Sequence, residues 1–464
     1  MIFGLFALFV SLYVIPDVLI GLPGSLYSAD HLSLVFPIVR DGTLPGFSSF
    51  FAWPGAWITY SMFIEALGIH DITLLNFIFY SLWPGMFSFL IFALALKFTG
   101  TANRASAATV LFLAGNWLVQ GDITDQAAGY AMFICLVLSI LTISRKAGPA
   151  TIVSVLLMAG ISVTHILTAV IALLSMLSMA LVDRRLRVSA MFGITFFVAW
   201  NFIGSWTILG PFVRATISSL APIGDLFRSG LVATLNYPNV VHQMATRLSF
   251  LDVGLYSLLS VMGVVYAWKS GRMRVSLKLA VLLECAIIAS AVVTSTAAGT
   301  EILQRTFLFS LIPFCILATS LVGGRNTYIA AVLLVLCFTI PVNFLVQYSQ
   351  VPSTGLSTIQ LSGTHYFDLH AAPGSVNGTL SVGLPNGPFY DTSLTGVTFD
   401  THSHCTSTAS SSTQLYLGFT PADTQGAIFG GLGTAGLEAN ENHLATVTEA
   451  TLAYSAPGFD IYVC

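Results

Sequence analysis

The run GDITDQAAGYAMFICLVLSILTISRK, residues 121–146, decides the architecture of this chain. Asp122 and Asp125 open it, an uncharged stretch runs from Ala127 to Ile143, and Arg145 with Lys146 closes it. An α-helix rises about 1.5 Å per residue, so about 20 predominantly apolar residues cross a hydrocarbon core of about 30 Å. With a few flanking residues this run meets that length, and it carries acid at one end and base at the other. Outward from it the pattern recurs at 2–22, 72–95, 105–119, 149–164, 166–182, 187–208, 250–268, 277–297, 304–323 and 327–347. The expectation is a polytopic α-helical membrane protein of about eleven transmembrane helices. Composition agrees: 55% of the 464 residues are hydrophobic, 8% are charged, and the mean hydropathy is +0.85. A water-soluble domain needs a charged coat that this chain lacks. A net charge of −3 gives no footprint for nucleic acid.

Basic residues set the expected orientation. From the second run onward, alternate connections hold Lys97 and Arg104, Arg145 and Lys146, Arg184, Arg185 and Arg187, Lys269, Arg272, Arg274 and Lys278, and Arg325. These are twelve of the 17 basic residues, so that side reads as cytoplasmic and the segment after the last span as outside. Residues 2–22 have no basic leader and read as a retained span, not a cleaved signal peptide. Residues 50–69 are apolar but carry Trp53-Pro54-Gly55 and Glu65, which favours an amphipathic segment lying on the membrane surface and a cytoplasmic N-terminus. The division expected is a membrane domain over 1–349 and an extracytoplasmic, β-sandwich-like domain over 350–464. The latter is rich in Ser, Thr and Gly, has no Lys or Arg, and alternates at Leu415, Leu417 and Phe419. Its Asn377-Gly378-Thr379 is a formal glycosylation triplet that reads as a turn, and Cys405 and Cys464 can pair as a disulfide in an oxidising compartment.

Polar residues gather on the outer side. Asp30 reads either as a general base presented to a lipid-linked substrate or as the cap of a helix opening near Leu32. Asp122 and Asp125 can bind a divalent cation or a sugar hydroxyl, or Asp125 can cap the following span. His165 interrupts two apolar runs, and reads as a site residue or as one bonded to nearby backbone. Glu301 and Arg305 open the tenth span, where a guanidinium suits a lipid phosphate and can equally pair with Glu301. Glu284 lies within the ninth span, where an ionisable group needs a partner.

The residues Asp30-His31-Leu32, Arg40-Asp41-Gly42, Trp53-Pro54-Gly55 with Leu67-Gly68-Ile69, Asp122 and Asp125, Thr164-His165 and Arg305 carry a family likeness through their order and shared sidedness. Together they resemble the GT-C superfamily of lipid-linked-sugar glycosyltransferases, which includes oligosaccharyltransferases and protein mannosyltransferases. That resemblance implies a plasma-membrane enzyme taking a sugar from a polyprenyl-phosphate donor, with Asp30 as catalytic base and Arg305 on the donor phosphate. His31, Asp122, Asp125, His165 and Glu301 become candidates for substrate or for a divalent cation, Mg or Mn. The first loop holds no Asp-X-Asp and the tail no Trp-Trp-Asp, which leaves metal dependence, acceptor and sugar open. Two other classes compete: a transporter or lipid flippase, which calls for internal repeats and discontinuous helices, and an envelope-assembly protein that binds partners through its β-rich domain.

Overall fold

A computed structural model describes residues 2–15, 26–44, 51–69, 72–116, 123–143, 148–211, 240–271, 275–322 and 326–348, together with five short strands between 376 and 463. The helices are α1 (Ile2–Phe9, continued by a π-turn Val10–Val14), α2 (Leu26–Asp41), α3 (Gly55–Leu67), α4 (Ile72–Thr99), α5 (Ala102–Gly115) and α6 (Asp125–Ile143). They are followed by α7 (Pro149–Thr164), α8 (Ile166–Val182), α9 (Arg187–Val198, continued by a π-turn Ala199–Gly204), α10 (Val240–Lys269), α11 (Val275–Ala318) and α12 (Asn326–Tyr348).

Five described helices are long and apolar enough to cross a membrane: 77–99, 125–143, 184–204, 244–269 and 328–346. Shorter apolar helices lie at 4–14, 149–164, 166–182 and 305–321. The ends of α7 and α8 match the sequence reading residue for residue. Gly148-Pro149 opens α7 with proline in its first turn, where a missing N–H costs nothing, and His165 separates the two helices in extended conformation.

The expected spans 277–297 and 304–323 share one unbroken helical assignment, α11, with no turn at Ala298–Leu303. The intervening sequence has no proline and a single glycine, so nothing local stops the helix.

α3 is 13 residues long, about 20 Å, short of a hydrocarbon core. It buries Ala56, Trp57, Tyr60, Ser61 and Ile64 along one face and leaves Ile58 and Met62 exposed on the other. Gly68 ends it in the left-handed region, φ +63°, with its N–H on Ile64 and Glu65 carbonyls, a conformation that only glycine adopts without cost.

The strands β1 (Val376–Thr379), β2 (Thr395–Thr398), β3 (Leu415–Phe419), β4 (Thr451–Ala456) and β5 (Phe459–Val463) form one sheet in the order β2-β1-β3-β5-β4. β1 pairs in parallel with β2 and β3, and β5 runs antiparallel to β3 and β4. The alternating Leu415, Leu417 and Phe419 do lie on a strand. The expected sandwich appears among the described residues as this single mixed sheet. Asn377-Gly378-Thr379 sits inside β1, paired on both sides, and not on a turn.

Candidate active site at one end of the bundle

α2 and α3 bring the N-terminal candidates to the bundle. Asp30 and His31 stand in the first turns of α2, inside the helix and not one position before it, so Asp30 is no N-cap. The side chain of Asp30 lies outside the described residues. The His31 ring stacks on Trp57 of α3 with centroids 5.3 Å apart. At the far end of α2, Arg40 chelates Asp41 through Nε and Nη2 at 2.9 and 3.1 Å, which holds the Asp41 carboxyl below the usual carboxylate range. Both are about half exposed, so this pair spends itself at the surface.

Residues 51–55 fasten α3 in place. Trp53 Nε1 donates to Asn201 Oδ1 at 2.9 Å, while Trp200 Nε1 and Ser205 Oγ both donate to the Ala52 carbonyl, at 3.1 and 2.9 Å. The π-turn at the end of α9 supplies Trp200 and Asn201, and Ser205 directly follows it. Tyr60 donates to the Thr124 carbonyl at 2.7 Å, at the start of α6. Gly55 rests directly on the end of α7, where an added Cβ would fall 2.5 Å from Thr164 Oγ1.

Thr124, and not Asp125, caps α6. Its Oγ1 accepts from Ala127 N at 3.0 Å, the bond expected of an N-cap. Asp125 is the first helical residue, bonded to Gln126 N at 2.9 Å, with its charge at the positive end of the helix. Asp122 lies outside the described residues, as do Cys405 and Cys464.

His165 and Arg305, 140 positions apart, meet. His165 is 5% exposed, and its Nδ1 lies 2.8 Å from Thr168 Oγ1 and 3.3 Å from Thr168 N. Its Nε2 lies 3.4 Å from Arg305 Nη1. The Thr168 N–H donates to Nδ1, so the ring caps the first turn of α8 while its other nitrogen lies against the guanidinium. The local reading of His165 holds, since it bonds to its own helix, and its far ring nitrogen also lies beside Arg305. Gly129 of α6 makes room for this, since a Cβ there would lie 3.1 Å from Thr168 Oγ1 and 3.3 Å from His165 Cβ.

Glu301 stands one turn before Arg305 on α11, with its side chain outside the described residues. Glu284 is not part of this end. It is buried, and neither of its carboxyl oxygens has a hydrogen-bond partner. No group of three His, Cys, Asp or Glu side chains fit to hold a metal ion occurs among the described residues. The elements bearing Asp30, Asp125, His165 and Arg305 therefore gather at one end, joined through α3. Thr168, Asn201 and Gly129 are supporting residues that sequence reasoning did not assign to the site.

Five helices long and apolar enough to cross a membrane, packed with shorter apolar ones, mark an integral membrane protein. No family model matches the sequence, and no curated protein matches it. Among solved structures the fold is that of ArnT, a GT-C glycosyltransferase, from Cupriavidus metallidurans. The ArnT structure bound to undecaprenyl phosphate superposes with a TM-score of 0.57 at 12% identity, covering 100% of this chain and 97% of that one. The apo ArnT structure gives a TM-score of 0.53 at 11% identity, covering 95% and 93%.

Proposed function

We propose that this chain is a membrane glycosyltransferase that moves a sugar from a polyprenyl-phosphate donor to an acceptor on the outer face of the membrane. The observation that carries this reading is Arg305, aimed by His165 at the end of an ArnT-like bundle where α2 begins. The undecaprenyl phosphate in the ArnT structure supports a donor of the same lipid class. In this reading Asp30 takes the proton from an acceptor hydroxyl, whose oxygen attacks the anomeric carbon. The carbon–oxygen bond to phosphate breaks in the same displacement, inverting that carbon, and Arg305 neutralises the charge gathering on the departing polyprenyl phosphate. α3 lies in the interface over this site, its Ile58 and Met62 face toward lipid. The N-terminus and the basic connections are then cytoplasmic and the sheet domain extracytoplasmic. Asp125, with Asp122 and His31, contributes to acceptor binding.

The test is transfer of radiolabelled sugar from a panel of polyprenyl-phosphate donors by the purified chain, in wild-type, Asp30→Asn and Arg305→Ala forms. Loss of general-base catalysis should lower the rate about 10²–10⁴-fold in Asp30→Asn without changing the unfolding temperature. Arg305→Ala should raise the donor concentration needed for half-maximal rate. A folded wild type that transfers nothing from any donor sinks the reading. A second reading, lipid translocation, draws on Glu284 and on α5, a helix too short to cross a membrane. Donor scrambling in vesicles with no product formed would favour it.

A further inference from the structure

α5 stops inside the bundle after 14 residues, about 21 Å, and its last carbonyls find donors on three other elements. Tyr256 of α10 donates to Leu111 O at 2.6 Å. Tyr13, in the π-turn after α1, donates to Leu113 O at 2.8 Å, with Asn116 O at 3.3 Å. Asn343 of α12 uses Nδ2 on Leu113 O and Ala114 O, at 3.2 and 2.7 Å. Beside them Thr339, one turn before Asn343, donates to Oδ1 of Asp252, one turn before Tyr256, at 2.6 Å.

In this cluster the hydroxyls of Tyr13, Tyr256 and Thr339 and both Asn343 amide hydrogens are already committed to oxygen acceptors. The side-chain oxygens of Asn343 and Asn116 have no hydrogen-bond partner, although the residues are 0% and 1% exposed, and the Asn116 amide nitrogen is an unmatched donor beside them. Turning the Asn343 amide over offers no escape, because its oxygen would then face two carbonyls that need donors. Unmatched polar atoms buried this deeply are costly and call for an explanation. The site also sits at the negative end of the α5 dipole and includes a carboxylate.

We propose that this cluster binds one sodium ion at the C-terminus of α5, held by the side-chain oxygens of Asn116 and Asn343, the Asp252 carboxylate and the second lone pair of the Ala114 carbonyl. The carbonyl end of an interrupted helix is a recurrent seat for a monovalent cation inside membrane proteins. The proposed ligands are all hard oxygens with a single carboxylate, which suits a small hard ion of single charge over a transition metal. The ion ties α1, α5, α10 and α12 together where α5 is interrupted. This inference does not rest on the transferase reading.

The test is equilibrium binding of ²²Na⁺ to the purified full chain in detergent, with thermal unfolding in sodium chloride and in choline chloride at equal ionic strength. Saturable binding of about one ion per chain is expected, and sodium well above its dissociation constant should raise the unfolding temperature by a few degrees. Both effects should vanish in Asp252→Asn and in Asn116→Leu, with the fold of each variant checked by far-ultraviolet circular dichroism. Absence of saturable sodium binding in the wild type overturns the proposal, and so does binding that survives in both variants.

Discussion

Gly55→Ala tests whether α3 is seated as closely as the structure has it. The added Cβ would lie 2.5 Å from Thr164 Oγ1, 3.0 Å from Val163 O and 3.1 Å from Val163 Cγ2. Ordinary contacts begin near 3.4 Å. Thr164 can turn away only by giving up its 2.7 Å bond to Gly160 O, at about 1 kcal/mol. The Val163 carbonyl is helix backbone and cannot move independently, so the start of α3 must lift by several tenths of an ångström. Overpacking of this size costs about 1–3 kcal/mol, and alanine's better helix propensity returns up to about 1 kcal/mol of it. The net expectation is a loss of about 1–2 kcal/mol, a drop of a few degrees in unfolding temperature. Because Trp57, two residues on, carries the His31 ring, sugar transfer should fall more than stability does, by about 10–100-fold. The decisive assay is the double-mutant cycle with Thr164→Ala, read by thermal unfolding in detergent. Removing the hydroxyl relieves the closest clash, so the pair should couple by about 1 kcal/mol. Strictly additive effects would refute the seating of α3 on α7.

Three further outcomes follow from the same geometry. Thr124→Val should destabilise by about 0.5–2 kcal/mol through the lost cap, measured by thermal unfolding, whereas Asp125→Asn should cost much less. His165→Gln, which keeps a hydrogen-bond acceptor toward Arg305, should hold most of the transfer rate. His165→Glu, which neutralises the guanidinium, should weaken donor use by about tenfold or more in the steady-state assay. The Arg40–Asp41 pair lowers the folded-state pKa of Asp41, so its small stabilisation is present above the ordinary carboxylate pKa and is lost as pH falls through the lowered value. Since both side chains are exposed, Asp41→Asn should leave the unfolding temperature at pH 7 within experimental scatter, and differ from wild type least in acid.

The helices were the legible part, and their punctuation explains why. Gly148-Pro149 and Thr164-His165 are breaks that no long apolar run absorbs, so α7 and α8 could be bounded from sequence alone. Between Ala298 and Leu303 there is no such signal, and the two expected spans share one helix there. Capping of α6 was readable as an event but not as a residue. Thr124 and Asp125 are both good caps, and backbone geometry alone chooses between neighbours. Asp252 lay hidden near the start of an expected span, where a carboxylate passes for an interfacial residue. Its link to Thr339, 87 positions later, exists only in three dimensions.

His165 and Arg305 were each legible as candidates, and what sequence could not supply was their pairing. That pairing bears directly on the chemistry. The ring lies against the guanidinium, so whatever fixes the ring also limits where Arg305 can turn. The geometry at Thr168 supplies that fixing, because Nδ1 accepts from Thr168 N at 3.3 Å and lies 2.8 Å from the Thr168 hydroxyl, two contacts on one residue that set the plane of the imidazole. Gly129 then lets α6 approach closely enough to hold that ring still, so Thr168 and Gly129, neither of them charged, constrain a cation on a helix 140 positions away from the ring it meets.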